Sequence, residues 1–525
     1  MRDFQTPGRS AVLATEGMCA TSHPLAAATA IDILRRGGNA VDAAIGAAVL
    51  LGICEPHMTG LGGDCFALLS PAGSDEVIGL NGSGRAAAAA DPEALRGAGH
   101  AAVPLGSAHA VTIPGAVDAF CRLSESHGRI GLDAVLAPAI QYAEAGVPVA
   151  PRVAMDWATE AGRLQDVARR HFLAGGAAPA PGMLFRAPAQ AEVLRRIARQ
   201  GRAGFYEGEV ADDMLAALQG AGGAQAALDF AAAEASPTRP VAGSYHGMDL
   251  LEHPPNGQGA TAILLANILA HFDIAALDPG GAERVHLEAE ATKLAYDLRN
   301  RLIADPDHAS QAAQMLAPET AAELASRIRP DGVLDGAAPL SGAEHRDTVY
   351  VTVVDRDRMA VSLICSIFHA FGAGIASEKF GILFHNRGAG FSLERGHPNE
   401  MGPRKRPMHT IIPGMLRQDG RVVMPFGVMG GQYQSTGHAR FLSSVVDFGM
   451  GPQDAIDAPR AFAEAGELRL ERGYPETVRQ ELAQIGHKVV MSDRPIGGAQ
   501  AIRIHESGVL EGGSDPRKDG CALGY

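Results

Sequence analysis

Two textures divide this chain. Ahead of residue 348, apolar positions recur mainly at helical spacing between Gly and Pro breaks; after it, β-branched residues crowd into short runs. Ser22 as N-cap and Pro24 just inside predict a first helix through Ile31, Ile33 and Leu34 that stops at Gly37-Gly38. Asn39 caps a second helix, apolar on nearly every side and ending near Glu55-Pro56, which reads as a core helix. A glycine loop at 60–63 leads into a short strand at 65–69. Helices are expected at 193–199, 211–218 and 284–303, and linkers at 174–181 and 337–344. Residues 348–355 and 359–368 flank the polar Arg356, Asp357 and Arg358 and read as a hairpin. More strands are expected at 381–384, 421–424 and 499–504. The N-terminal part then supplies most of the helices and the C-terminal part most of the strands of a mixed, layered α/β architecture.

The hairpin has two candidate registers. A three-residue loop at 356–358 pairs Asp355 with Met359 and puts Thr348 opposite Ser366, their Cβ atoms about 5 Å apart on one face. A two-residue loop puts Cys365 there instead. A Thr–Ser pair on a half-buried sheet is by itself an ordinary structural feature.

Composition narrows the classes. The 525 residues hold 45 Lys and Arg against 59 Asp and Glu, a net charge of −14, and the densest basic spot is only Arg404, Lys405 and Arg406. Nucleic acid and anionic membranes are therefore not expected partners. Residues 1–14 lack a cationic start followed by an apolar block, and the apolar run at 40–54 is too short to span a bilayer, so a cytoplasmic enzyme is expected. Six scattered cysteines suggest neither a disulfide framework nor a zinc knuckle. The loop at 60–63 lacks the residues of a phosphate loop, no serine sits in a G-x-S-x-G elbow, and the histidines, His253, His369 and His385 among them, lack metal-motif spacing; neither metal nor cofactor is expected. Cys65 or Cys365 as nucleophile is the residual thiol alternative.

Residues 37–45, 55–64 and 347–372 resemble the gamma-glutamyltranspeptidase family of N-terminal nucleophile hydrolases. So do Pro254-Pro255, the helix from His286 with Asp305 and Asp307, Lys405 to Pro407, Gly430-Gly431, Pro459-Arg460, and Asp515 to Arg517. The likeness is collinear from about Ala14 to Tyr525. It implies an α+β fold, a four-layer αββα sandwich. It also implies self-cleavage of the Asp347–Thr348 bond into segments 1–347 and 348–525 within one structural domain. Thr348 would then carry both the nucleophilic hydroxyl and, as its own base, an α-amine with an ordinary pKa near 7.7–8.0. Ser366 matches the family's second hydroxyl, and Gly430 and Gly431 its oxyanion hole. A small amide substrate with water or an amine as acceptor follows from the likeness, and a homodimer of processed heterodimers is compatible with it.

The departures concern the substrate pocket. The family's carboxylate-binding Arg corresponds to Gly or Ser within 81–85, with Arg85 displaced by about two positions and read as structural. Its Asn beyond the second hydroxyl is Phe368. The Gln and Asp that hold the α-amine are Arg387 and Gly390, and a Ser-Ser pair is His409-Thr410. Arg387, His409 and Thr410 are thus the candidate substrate-binding residues. An anionic amide without an α-amino group suits them, as does the likeness to the oxamate amidohydrolase-like and cephalosporin-acylase-like branch. The alternatives are an ordinary glutathione-hydrolysing transpeptidase and an uncleaved binding protein that keeps only the fold.

Overall fold

The computed structural model describes residues 8–308, 311–334 and 348–525; the linker expected at 337–344 and Asp347 lie outside them. Alternation along Val349–Val354 decides the layering. Val349, Val351 and Val353 join the core formed with the helices Pro24–Arg35 and Ala40–Cys54, while Tyr350 and Val354 point to the opposite face. Both faces are covered, which is why this strand reads as an unbroken β-branched run.

Two seven-stranded antiparallel sheets result. The first runs Cys521–Gly524, Met18–Thr21, Val349–Val354, Ala360–Ser366, Asp64–Ser70, Ile78–Gly82, Ser236–Thr238. The second runs Val12–Ala14, Leu510–Ser514, Gly498–Ile504, Arg421–Met429, Gly414–Gln418, Met248–Glu252, Val241–Tyr245. Their inner faces meet through Met18, Leu68, Leu251, Met415 and Ile502. Outside the second sheet lie the helices Gly259–Leu269, Ala282–Leu302 and Gln434–Val446. The order helix, sheet, sheet, helix is the αββα sandwich. Among the described residues no helix is long and apolar enough to cross a membrane.

Several expectations change. Each sheet takes strands from both sides of Thr348, so strands are not a property of the C-terminal part. Met18–Thr21 and Ile78–Gly82 hold Cys, Ala, Asn and Gly beside single Ile, Leu and Thr residues, and composition does not flag them. His23, not Ser22, caps the first helix, its Nδ1 accepting the Leu25 N–H; Ser22 instead donates to Glu55 Oε1 at 2.6 Å. Asn39 does cap the second, in a capping box with Asp42. Residues 381–384 form no strand: Gly381 takes a φ of +64°, and one isolated bridge joins Leu383 to Ala376.

Candidate active site

The hairpin settles into one of its two registers. Val349 lies opposite Cys365 and Val354 opposite Ala360, and the Asp355 N–H donates to the Met359 carbonyl at 3.1 Å, so the loop has three residues. Continued by one position, this register sets Thr348 beside Ser366, and strand parity turns both toward the space between the sheets. Both are fully buried in the uncut chain. Ser366 faces Asp64 across the next ladder, which makes an inner-face row of Thr348, Ser366 and Asp64. Ser366 Oγ also accepts the Phe368 N–H at 2.8 Å, pinning the chain just after the strand.

The glycine loop before Asp64 makes this row possible. A Cβ on Gly62 would lie 2.2 Å from the Leu383 carbonyl oxygen and one on Gly63 2.6 Å from that of Ser366; only glycine admits backbone so close.

Asp64 gathers a buried polar cluster around it. His385 Nδ1 donates to its Oδ2 at 2.8 Å, Arg387 Nε at 3.3 Å, and the Gly84 N–H to Oδ1 at 3.1 Å; His409 Nε2 stands 3.8 Å away. Burial alone would raise this carboxyl, but His385, by its charge and its hydrogen bond, and the Arg387 guanidinium outweigh it and hold the pKa well below the usual range. The Arg387 guanidinium lies over the Phe368 ring, 4.3 Å from its centroid, and donates to Thr410 Oγ1 at 3.4 Å. Burial lowers its pKa to about 10 despite Asp64. Burial, then the Arg387 charge, pushes His409 well below its ordinary value, so its ring is neutral near pH 7. Arg387 Nη2 and both His409 ring nitrogens have no hydrogen-bond partner among the described residues. Buried polar atoms are ordinarily paired, so these three stand out.

The second sheet supplies the opposite wall. Ser362 Oγ donates to the Phe426 carbonyl at 3.2 Å, and Gly427 and Met429 pack on Tyr350. Arg421–Met429 therefore runs toward the Thr348 end, and Gly430-Gly431 follow directly, with φ of +126° and +56°. An amide scaffold holds that turn. Gln258 Nε2 donates to the Thr410 carbonyl at 2.7 Å and to that of Gly431 at 3.4 Å, while Arg299 donates to Gln258 Oε1 at 2.9 Å and Gln432 Oε1 at 2.6 Å.

Of the candidates, Thr348 and Ser366 share the row with Asp64, Arg387 and His409 lie against that carboxylate, and Thr410 touches Arg387, while Gly430-Gly431 follow the strand of the second sheet that reaches Tyr350. Arg85 stays outside, paired with Asp305 and Asp307 at 3.2 and 2.6 Å. Cys65 and Cys365 face each other on the helix side of the sheet, and burial raises the Cys365 thiol well above its ordinary value, which removes it as a nucleophile near neutral pH. Sequence reasoning missed Asp64, His385 and the Gln258–Arg299 scaffold. Asp64 was visible as the residue closing the glycine loop, but nothing in its spacing announced three partners drawn from residues 84–387.

Residues 26–525 match the family model for gamma-glutamyltranspeptidase. The chain is 36% identical to the oxamate amidohydrolase proenzyme of Klebsiella pneumoniae, over 98% of this chain and 100% of that one. It is 35% identical to the glutathione hydrolase-like YwrD proenzyme of Bacillus subtilis, over 98% and 99%. Among solved structures, cephalosporin acylase from Bacillus halodurans superposes with a TM-score of 0.93 at 37% identity, covering 100% of this chain and 99% of that one.

Proposed function

The chain belongs to the gamma-glutamyltranspeptidase family and is an amidohydrolase of the N-terminal nucleophile type; from that membership we propose that it cleaves itself before Thr348 and then hydrolyses a small anionic amide through an acyl-enzyme on that residue. The Thr348 hydroxyl attacks the Asp347 carbonyl, and water hydrolyses the ester, leaving segments 1–347 and 348–525. Full burial of Thr348 in the uncut chain suits a first step that needs no external substrate. The freed α-amine takes the Thr348 hydroxyl proton as that oxygen attacks the substrate carbonyl. Ser366 donates toward the Thr348 oxygen and keeps it aligned. The Gly430 and Gly431 N–H groups receive the developing oxyanion, each such donor being worth about 100- to 1000-fold in rate. The leaving amine takes the proton, and water or an acceptor amine releases the acyl group.

One observation carries the choice of substrate. Arg387 Nη2 and the neutral His409 ring, both buried beside Asp64, have no hydrogen-bond partner among the described residues, and a substrate carboxylate would supply one. Among the described residues, the carboxylate in contact with Arg387 and His409 is Asp64, already engaged by His385 and Arg387 and so not free to receive an α-ammonium. The relatives named oxamate amidohydrolase and acylase support the same reading.

The test is a denaturing gel of fresh protein beside Thr348→Ala, followed by assays of ammonia release from oxamate and glutamate release from a γ-glutamyl anilide. Cleavage gives bands of about 36 and 18 kDa, scaled from the 54.4 kDa chain, the smaller starting at Thr348 and absent from the variant. Oxamate turnover without anilide turnover is expected. Anilide turnover alone would make the chain an ordinary glutathione hydrolase, and one uncut band in both proteins would make it a binding protein.

A further inference from the structure

Away from the nucleophile, a second buried group of donors draws on both sides of Thr348. His286 and Glu290 stand four residues apart on one face of the helix Ala282–Leu302. The helix Glu476–Ile485 ends at Gly486, whose left-handed φ of +113° turns the next residue, His487, onto that face. His286 Nδ1 and His487 Nε2 are 2.8 Å apart, His487 Nε2 and Glu290 Oε1 4.0 Å, and one ligand atom from each lies within 4.8 Å of the others.

We propose that His286, Glu290 and His487 form a binding site for a divalent transition metal, with zinc as the best match, that ties segment 1–347 to segment 348–525. The clause about segments rests on the proposed cleavage; the site itself does not. Two imidazoles and one carboxylate with an open fourth position are a common zinc donor set. The outer contacts are those of ligands already aimed. His286 Nε2 donates to the Arg329 carbonyl at 2.7 Å, which fixes the tautomer and leaves Nδ1 to accept the His487 Nε2 hydrogen; a metal would take the place of that hydrogen once His487 carries its own on Nδ1. Glu290 Oε2 accepts the Leu334 N–H at 2.7 Å, which leaves Oε1 facing inward. A tetrahedral zinc holds two nitrogens about 3.4 Å apart, so the rings need part by only about half an ångström. The Lys293 ammonium, 2.6 Å from Glu290 Oε1, supplies the positive charge a metal would bring. It stands at the margin of the site, its side chain 15% exposed, and can turn out to water.

The test is zinc titration of the purified, untagged protein against a chromophoric chelator, with Co2+ spectra as an independent readout. One equivalent per chain is expected, with intense four-coordinate Co2+ bands. His487→Ala should weaken zinc by at least about 100-fold, since loss of an outer-shell contact alone costs 10- to 100-fold. Lys293→Gln, which keeps every ligand, should tighten it several-fold. Absent stoichiometric binding, affinity unchanged in His487→Ala, or binding unaltered or weakened in Lys293→Gln would each overturn the site. Where His487→Ala does not fold, the Lys293→Gln result and the Co2+ spectrum decide. Thr348→Ala should bind zinc as well as wild type. Zinc that binds but does not slow separation of the cut segments in urea would overturn the tie and leave the site.

Discussion

Two fully buried arginines, one beside Asp64 and one beneath the Gly430-Gly431 turn, are treated in opposite ways. Arg387 has a buried carboxylate, Asp64, beside it, yet its Nη2 lacks a partner among the described residues. Arg299 has no carboxylate in reach among those residues, yet its guanidinium is held by the side-chain oxygens of Gln258, Gln432 and Asn300 and lies over the Tyr296 ring. Burial lowers both to about 10, so both stay charged at neutral pH. A buried donor left unpaired is costly, and such a nitrogen marks a place that a ligand could complete. A satisfied one builds a frame. Arg387 thus reads as part of the substrate wall, and Arg299 as a support for the Gly430-Gly431 turn through two amides.

The largest effect should separate these roles. Arg387→Met is expected to cut kcat/KM for oxamate about 100- to 1000-fold, mostly in KM, and to change turnover of the neutral oxamide far less. Equal losses on both amides would mean that Arg387 only supports the fold. Arg299→Met leaves two buried amide oxygens without donors beneath the oxyanion turn. It should lower kcat about 10- to 100-fold with KM little changed, and Arg299→Lys should recover part of the loss. A rise in KM with kcat intact would assign Arg299 to the pocket instead.

pH sharpens the contrast further, because the Arg387 side carries histidines. His253 stacks on Phe66 at 4.1 Å, and His409 packs against the same ring. Burial lowers the His253 pKa from 6.5 to about 4. The unfolded chain therefore binds this proton more readily than the folded one. Stability is full above about pH 6.5 and falls as the pH drops toward 4, by up to about 3 kcal/mol. His253→Phe should flatten that part of the curve in urea titrations at stepped pH. A slope equal to wild type would show that His253 already carries its proton in the fold.

What could be read beforehand follows the same division. The Thr348–Ser366 pairing was legible because a hairpin is local: three polar residues between two β-branched runs leave few registers, and parity sets the faces. Arg387, His409 and Thr410 came forward through resemblance, as departures from a pattern, and the structure places them together near Asp64. Asp64 as their common partner was not legible, since its contacts come from the strand edge near Gly84 and from loops at 385–387 and 409, and no period links them. The Arg299 scaffold was hidden for the same reason, since the periodicity of the long helix does not tell what its two buried arginines, Arg284 and Arg299, hold. The strands Met18–Thr21 and Ile78–Gly82 escaped because their sheet position, rather than their own propensity, makes them strands.

The smallest expected effect bears on which arginine reads the substrate's charge. Arg85 is the nearest in sequence to the place where the family resemblance puts a carboxylate ligand, but it points away to Asp305 and Asp307 and donates to the Arg404 carbonyl at 3.0 Å. Asp305 is buried, and without Arg85 it still accepts the Arg406 N–H at 2.8 Å and the Asp307 N–H at 3.1 Å. Arg85→Met should therefore cost only about 1 kcal/mol in unfolding free energy, because backbone donors continue to satisfy the carboxylate and the Asp307 pair is exposed. The KM for an anionic amide should not move. A raised KM in this variant, with Arg387→Met silent, would transfer the anion from the Arg387 side to the stretch at 81–85. The unpartnered nitrogens of Arg387 and His409 would then need a different occupant.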